Sequence, residues 1–341
     1  MPHLRRPRVR LSSRRAARSV SPPQPPVRDL ASVVDDGLTT QSPRVLEVPH
    51  YASLYVEVLS PTGEHGGRSA TGFIVRNSER TPFLMTNRHV VTGGRQSLGK
   101  SDGQPRDNVS ALRVFFPSTA EPGRCVPVIV DLWDADGSEA DVQDHRPAWL
   151  EHPDLGWRAD VVAIPLPGHI DIEMHTDFAA YYPAGPVLPR LAITDELYVV
   201  GFPLGFDPKK APLPLGVWTR GTIAWHPTLD WQQLPATLLD CRARPGQSGS
   251  PVLFYANEYT TFTTARGERR KGNSQTFDLV GIYSGRIVEG SDIGIVWKRS
   301  AIETIIECGV RPSEPLVTQL LPEVDRDRLV LPEDEQQPGR S

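Results

Sequence analysis

The sequence has few cysteines and no long apolar run. Its three cysteines, Cys125, Cys241 and Cys308, are widely spaced and form no C-x-x-C pair. This pattern excludes a disulfide framework and a zinc site built on paired cysteines, and we expect free thiols in a reducing compartment. No stretch has the apolar length of a membrane-spanning helix or of a secretory signal core. We therefore expect a cytoplasmic protein with no membrane span.

The chain also lacks a strong net charge. It has 37 Lys and Arg against 41 Asp and Glu, which gives a formal net charge of -4, so its overall charge does not indicate nucleic-acid binding. The exception is residues 1–20, which contain seven arginines and no acidic residue. We interpret them as part of a solvated tail. A transit-like segment, or contact with nucleic acid or an anionic surface, stays open as an alternative that nothing else in the sequence supports.

Composition divides the chain into three parts. Residues 1–45 are rich in Arg, Ser and Pro, and residues 312–341 are rich in Pro and acidic side chains, so we predict a disordered tail at each end. Between them, residues 46–311 contain short apolar runs bounded by Gly, Pro, Asn or Asp, such as TGFIV, DVVAIPL and LYVVGF. Such runs favour an all-β sandwich or barrel over a helical or βαβ plan.

One helix is predicted at the end of this domain, over about residues 300–308. In SAIETIIECG, Ser300 can cap a helix, Glu303 follows three residues later, and Gly309 can end it. The basic stretch ARGERRKGN, earlier in the chain, is predicted to be a solvated hairpin tip.

The stretch RPGQSGSPV, residues 244–252, places Ser248 in a polar turn that leads into an apolar run. A serine hydroxyl is a poor nucleophile at neutral pH, so it needs a histidine to accept its proton and a carboxylate to orient the imidazole. His89 follows the strand-like run PFLMT, and Asp160 precedes the run VVAIPL. Taken alone, each of these residues is equally typical of a structural turn.

The order of the three residues along the chain is more informative. His89, Asp160 and Ser248 follow the order His, Asp, Ser, whereas α/β-hydrolases have Ser, Asp, His and subtilisins Asp, His, Ser. A G-x-S-x-G elbow is incomplete because Ser250 stands at the second glycine. With TNRHVV, ADVVAIPL and GQSGSPV in this order, residues 51–308 resemble the trypsin-like serine peptidases, particularly the bacterial members without disulfides.

The resemblance implies a chymotrypsin-like fold. Two packed six-stranded antiparallel β-barrels are expected, the first over about residues 46–168 and the second over about residues 190–299, followed by the C-terminal helix. The first barrel would hold His89 and Asp160 and the second Ser248, so that the active cleft lies between them.

The resemblance also implies a serine endopeptidase that hydrolyses polypeptides through an acyl-enzyme. Ser248 would attack the scissile carbonyl, His89 would act as base and then as acid, and Asp160 would orient the imidazole. The N–H groups of Gly246 and Ser248 would form the oxyanion hole. This chemistry needs no cofactor.

No metal site is expected either. The acidic loop DADGSEADVQDH, residues 134–145, lacks the spacing of a calcium loop. His145 and His152 are poorly spaced as zinc ligands and have no obvious third partner.

Four residues are candidates for substrate binding. GIYSGR, residues 281–286, resembles the strand that pairs with the substrate backbone and forms one wall of the specificity pocket. By this resemblance Ser284 would contact Asp160, Gly285 would line the wall, and Tyr283 would either narrow the pocket or pack in the core. Arg242, at the base of the pocket, would either favour an acidic residue before the cut, or else point outward or pair with Asp240.

Two departures from the family pattern limit what the resemblance implies about specificity and activation. Arg242 stands where trypsin-type enzymes have the aspartate that selects Lys or Arg, so that specificity is not expected. Gln247 replaces the aspartate that receives a newly cut N-terminus in digestive-type members, so activation by N-terminal cleavage is not expected. Because a fold and its motifs do not guarantee activity, a latent or inactive scaffold that acts as a binding or sensor module is the alternative.

Overall fold

The structure is a computed structural model, and it describes part of the chain. The described residues are 9–10, 49, 52–60, 63, 65–94, 109–117, 125–134, 146–166, 180–181, 189–205, 215–273 and 276–312. Most of the two predicted tails, the acidic loop from residue 135 onward and His145 lie outside these ranges.

The regular elements of the described residues are mostly β-strands, and the two helices are α1 (Arg88–Thr92) and α2 (Arg299–Cys308). The strands, in chain order, are β1 (Val9–Arg10), β2 (Ser53–Leu59), β3 (His65–Arg76), β4 (Pro82–Thr86), β5 (Ala111–Pro117), β6 (Cys125–Asp131), β7 (Trp133–Asp134), β8 (Arg146–Pro147), β9 (Val162–Pro165), β10 (Ala180–Tyr181), β11 (Glu196–Gly201), β12 (Val217–Ile223), β13 (Ala236–Cys241), β14 (Pro251–Tyr255), β15 (Thr261–Thr263), β16 (Arg269–Lys271), β17 (Phe277–Arg286) and β18 (Ile293–Lys298).

The first sheet is a curled half-barrel with the strand order β1-β6-β5-β2-β3-β4-β9. Neighbours along this path are antiparallel, and the short β10 pairs with β3 in parallel. Its interior is filled by alternate apolar side chains of the strands, such as Leu54 and Leu84, and by Trp149, which precedes β9. Val9–Arg10, which form β1, lie within the segment predicted to be an N-terminal tail and pair with β6.

The second sheet is a closed six-stranded barrel with the order β11-β12-β13-β18-β17-β14. Strand β17 approaches β18 closely at Gly281, where an added Cβ would lie 2.0 Å from the carbonyl oxygen of Trp297. The predicted all-β class is therefore confirmed, with one closed barrel and one curled sheet. The basic stretch after β15 forms the predicted hairpin, in which β15 pairs with β16 and Arg269, Arg270 and Lys271 are exposed.

Helix α2 begins one residue before the predicted range and ends as predicted. Its N-cap is Lys298, which makes no side-chain capping bond, so the prediction that Ser300 caps the helix is wrong. The reason is tertiary: Arg299 Nη1 donates a hydrogen bond to Asp278 on β17 at 3.0 Å and thereby fixes the start of the helix. Glu303, expected in a capping box, pairs instead with Arg299 Nε at 3.2 Å.

The apolar face of α2 belongs to a core shared by the two sheets. Ala301, Ile302, Ile305 and Ile306 are buried in one cluster with Phe73 and Met85 of the first sheet and with Val200 and Trp297 of the barrel. Because burial of apolar surface is the main favourable term in folding, this shared core holds the sheets together. Among the described residues, no helix has the length and apolar character needed to cross a membrane.

A buried ion pair anchors helix α1. Arg88 Nε donates a hydrogen bond to Glu151 Oε1 at 2.8 Å, and both side chains are almost fully buried. Trp149 Nε1 donates to the same oxygen at 3.2 Å. The backbone of Glu151 also exchanges two hydrogen bonds with that of Val310, just after α2. Glu151 therefore connects α1 with the end of the domain.

We expect Glu151→Gln to lower the free energy of unfolding by about 3–5 kcal/mol, because it leaves the buried Arg88 charge uncompensated. Urea unfolding followed by tryptophan fluorescence measures this change. The matched control is Glu196→Gln, which removes an exposed pair with Arg220 and is expected to cost less than about 1 kcal/mol. Equal effects of the two substitutions would contradict the prediction.

The three cysteines are free, as predicted, and we expect them to differ in reactivity. Burial raises the pKa of Cys125 and of Cys241 to about 11, whereas Cys308 is exposed. Since the thiolate is the reactive form, iodoacetamide at pH 8 should modify Cys308 in the native protein and all three cysteines in urea. Peptide mass spectrometry identifies the modified residues, and rapid native labelling of Cys241 would refute the expectation.

Candidate active site

His89 and Asp160 lie side by side because β4 and β9 pair antiparallel. The register places Thr86, at the end of β4, opposite Val162, at the start of β9. His89 follows the end of the first strand and Asp160 precedes the second, so both residues reach the same edge of the sheet. His89 Nδ1 lies 2.7 Å from Asp160 Oδ2, and the backbone N–H of His89 donates to Asp160 Oδ1 at 2.9 Å.

Two further residues hold Asp160 in place. Ser284 Oγ, on β17 of the barrel, donates a hydrogen bond to Asp160 Oδ2 at 2.5 Å. Asn87 Nδ2 donates to the backbone carbonyl of Asp160 at 2.7 Å. The carboxylate is thus buried and hydrogen-bonded by groups from both sheets, which keeps its orientation toward His89 fixed.

A carboxylate can only accept hydrogen bonds, so the contact with Asp160 places the imidazole proton on Nδ1. In the neutral imidazole, Nε2 is then the unprotonated nitrogen, and this is the form that a general base requires. The side chains of His89 and Asp160 are 14% and 7% exposed, so the pair is largely shielded from solvent but not sealed.

Ser248 lies in a tight turn just before β14. The turn requires glycine on both sides: Gly246 has a φ of 89° and Gly249 a φ of 85°. An added Cβ at Gly249 would also lie 2.0 Å from the carbonyl oxygen of Thr71. In the described part of the chain, the N–H groups of Gly246 and Ser248 donate no hydrogen bond. Two donors are therefore available to an incoming oxygen atom.

Gln247 stabilises this turn from within. Its side chain is buried, its Oε1 accepts a hydrogen bond from the N–H of Arg244 at 2.7 Å, and its Nε2 donates to Thr219 Oγ1 at 2.8 Å. The position at which digestive-type members bind a new N-terminus is therefore occupied by contacts within the barrel. Nothing in the sequence around Gln247 indicated Thr219 as its partner.

Thr71 connects the turn at residues 246–249, the nucleophile turn of the predicted triad, to the first sheet, and no sequence motif points to it. Its N–H donates to the carbonyl of Ser248 at 2.9 Å, and its Oγ1 donates to the carbonyl of Gly246 at 3.0 Å. The same Oγ1 accepts a hydrogen bond from the N–H of Phe202 at 3.1 Å. Thr86 Oγ1, three residues before His89, donates to the Thr71 carbonyl at 3.0 Å. This chain of bonds fixes the turn relative to His89.

The structure brings His89 and Ser284 each into direct contact with Asp160. Ser248 is partly exposed, and its Oγ makes no hydrogen bond within the described residues, so the bond from Ser248 to His89 is not formed. Bonds to a nucleophile are often loose without substrate and tighten in the complex.

The candidate pocket residues differ in their surroundings. Arg242 is exposed and pairs with no described residue, Asp240 included, so it points outward. Tyr283 is buried in the core of the barrel, and Gly285 lies at a β-bulge on β17 with a φ of 127°. Arg286, at the end of the strand predicted to form one wall of the pocket, donates from Nη2 to the carbonyl of Ala243 at 2.7 Å.

A family model described as a trypsin-like peptidase domain matches residues 70–258, more than half of the 341-residue chain. The chain therefore belongs to the trypsin-like peptidase family, which confirms the resemblance. It is a serine-type peptidase, a hydrolase that acts on polypeptides. The matched region includes His89, Asp160 and Ser248.

Solved structures of proteases are similar to this chain at low identity. The active form of the Rv3671c protease from M. tuberculosis has 14% identity and a TM-score of 0.39, with 79% of this chain and 87% of that chain covered. The serine endoprotease from Yersinia pestis has 14% identity and a TM-score of 0.36, with 76% of this chain and 64% of that chain covered. No curated protein matches the sequence.

We expect Thr71→Val to impair the site while keeping the shape of the side chain. It removes the hydroxyl that bonds to the Gly246 carbonyl and the Phe202 N–H. Each lost bond should lower the free energy of unfolding by about 1–3 kcal/mol. The rate at which a fluorophosphonate probe modifies the protein should fall at least about tenfold, because small displacements of a reacting group are costly. Thr71→Ser keeps the hydroxyl and is the control; equal rates for the two variants would argue against this role.

Proposed function

We propose that this peptidase is a serine endopeptidase that works through an acyl-enzyme, with Ser248 as nucleophile. The observation that carries the proposal is the pair of hydrogen bonds from His89 to the two oxygens of Asp160, 2.7 Å and 2.9 Å long. They fix both the tautomer and the orientation of the imidazole, which are the two requirements for a base that activates serine.

In the first step, Ser248 Oγ attacks the scissile carbonyl carbon and His89 Nε2 accepts the hydroxyl proton. The carbonyl oxygen becomes negatively charged and receives hydrogen bonds from the N–H groups of Gly246 and Ser248. In enzymes of this kind, loss of one such donor reduces kcat by about 10²–10³-fold. His89 then donates its proton to the leaving amine, so that the C–N bond breaks and the acyl-enzyme remains.

In the second step, water attacks the acyl-enzyme and His89 again acts as base. The tetrahedral intermediate uses the same two N–H groups, and its collapse returns the proton to Ser248 Oγ and releases the carboxylic acid. Asp160 stabilises the imidazolium that forms in both steps, and its bonds to Ser284 and to the His89 backbone keep it aligned throughout.

Two observations favour a second candidate function, that of a latent peptidase or inactive scaffold. Ser248 Oγ has no hydrogen bond within the described residues, and Arg286 bonds to the carbonyl of Ala243, close to the nucleophile turn. Under this alternative the protein would bind a polypeptide partner without cleaving it until the site is completed.

Labelling with a fluorophosphonate probe tests the proposal, because Ser248 Oγ must displace fluoride from phosphorus with the help of His89. We expect one adduct, located at Ser248 by peptide mass spectrometry, and a loss of labelling of at least about 10³-fold in Ser248→Ala and in His89→Ala. Asp160→Asn should also label slowly because the favoured tautomer is lost.

The control for folding is the unfolding midpoint of each variant in urea. A folded wild-type protein that does not label would refute the proposal and support the latent scaffold. Labelling that persists in His89→Ala would assign the proton transfer to another group.

A further inference from the structure

Two chain segments meet beside the oxyanion-hole donors. The first segment is residues 242–246, which ends at Gly246. The second is β17, which runs along the other side of the nucleophile turn. The N–H of Gly249 donates to the carbonyl of Tyr283 at 2.9 Å, and the N–H of Tyr283 donates to the carbonyl of Ser250 at 2.8 Å. By the family resemblance, the substrate side chain before the cut enters between these segments. The residues that fill this opening therefore decide which side chain fits.

Tyr283 is buried in the barrel core, in one cluster with Ala243 of the opposite segment, and we place it at the bottom of the opening. Its side chain is only 2% exposed, and its ring lies against the backbone of β18 at Gly294. An added Cβ at Gly294 would lie 2.4 Å from Tyr283 Cε2, so this contact requires glycine. A ring in this position leaves no depth for a long aliphatic or aromatic side chain.

Arg286 spans the mouth of the opening. Its backbone belongs to β17, while its Nη2 donates to the carbonyl of Ala243 in the opposite segment, at 2.7 Å. The half-buried guanidinium thus lies across the place where the substrate side chain enters. Arg242, which sequence reasoning placed at the base of the pocket, is instead exposed.

Arg286 brings a positive charge to this place. Burial is the main cause that raises the pKa of the Tyr283 hydroxyl, the Arg286 guanidinium lowers it, and the exposed Asp292 raises it. A guanidinium repels a lysine or arginine side chain and binds a carboxylate through charge-assisted hydrogen bonds.

We propose that Arg286 determines the specificity of this peptidase and selects a short acidic side chain, aspartate, at the residue before the cut. The substrate carboxylate binds the guanidinium at the mouth of the opening, and Tyr283 excludes longer side chains. This inference rests on the proposed function, since it concerns the residue whose carbonyl Ser248 attacks.

The test uses internally quenched peptides that differ only at the residue before the cut, which is Asp, Asn, Glu, Ala, Phe or Lys. Asp and Asn have the same shape, so the ratio of their kcat/KM values measures recognition of the charge alone. We expect the wild type to prefer Asp over Asn by about 10- to 100-fold, the range that hydrogen bonds to charged groups supply.

Substitutions assign this preference to a residue. Arg286→Gln should bring the ratio of kcat/KM for the Asp peptide to that for the Asn peptide close to one. Arg286→Lys should keep part of the preference for Asp. Arg269→Gln, which removes an exposed charge on β16, is the matched control and should leave the ratio unchanged. Tyr283→Ala should raise cleavage after Glu relative to Asp, while Tyr283→Phe, which keeps the ring, should not.

Three outcomes would overturn the inference. One is a wild type that cleaves the Asp and Asn peptides equally well or does not cleave the Asp peptide. The second is loss of the preference in Arg242→Gln rather than in Arg286→Gln. The third is an equal rise in kcat/KM for all peptides in Arg286→Gln. It would mean that Arg286 closes the opening without selecting among side chains.

Probe labelling separates these outcomes from failure of the proposed function. A wild type and an Arg286→Gln variant that both label at Ser248 have a working nucleophile, so a missing preference then counts against the role of Arg286 alone. Absence of labelling in the wild type counts against the proposed function itself.

Discussion

One buried threonine holds together the two halves of the candidate site. His89 and Asp160 lie at one edge of the first sheet, whereas Ser248 lies just before a barrel strand, so the proposed chemistry depends on how the sheets dock. Thr71 fixes this docking through its hydrogen bonds to the carbonyls of Ser248 and Gly246 and to the N–H of Phe202. The Thr71 hydroxyl donates one hydrogen bond and accepts another at the same time, which an apolar side chain at this position of the strand could not do.

A second hydrogen bond links the sheets, and in this one the side chain comes from the barrel. Ser284 belongs to the barrel and binds the carboxylate of Asp160 on the first sheet, so each half of the site contributes a residue that orients the other half. The shared core beneath them includes the apolar face of α2, which supplies the burial energy that these few polar contacts lack. Polar bonds thus set the alignment, and apolar packing makes it stable.

The sequence predicts the all-β class and the contact between His89 and Asp160, because each residue flanks a strand-like run and the family motifs come in order. It does not indicate Thr71, since one threonine in a strand resembles any other until its partners across the sheets are known. The predicted cap at Ser300 failed because Arg299 binds Asp278, a residue distant in sequence. The choice between the alternative roles predicted for Tyr283, and for Arg242, likewise depends on spatial neighbours that spacing along the chain does not reveal.

The backbone bonds between Glu151 and Val310 have a consequence for the order of events during synthesis. Residues 299–310 leave the ribosome after every strand of the barrel, yet α2 packs between the sheets and Val310 bonds to the residue that pairs with Arg88. A nascent chain that stops short of α2 lacks the apolar face that completes the shared core. The two sheets therefore reach their final alignment only after residues 299–310 have been synthesised.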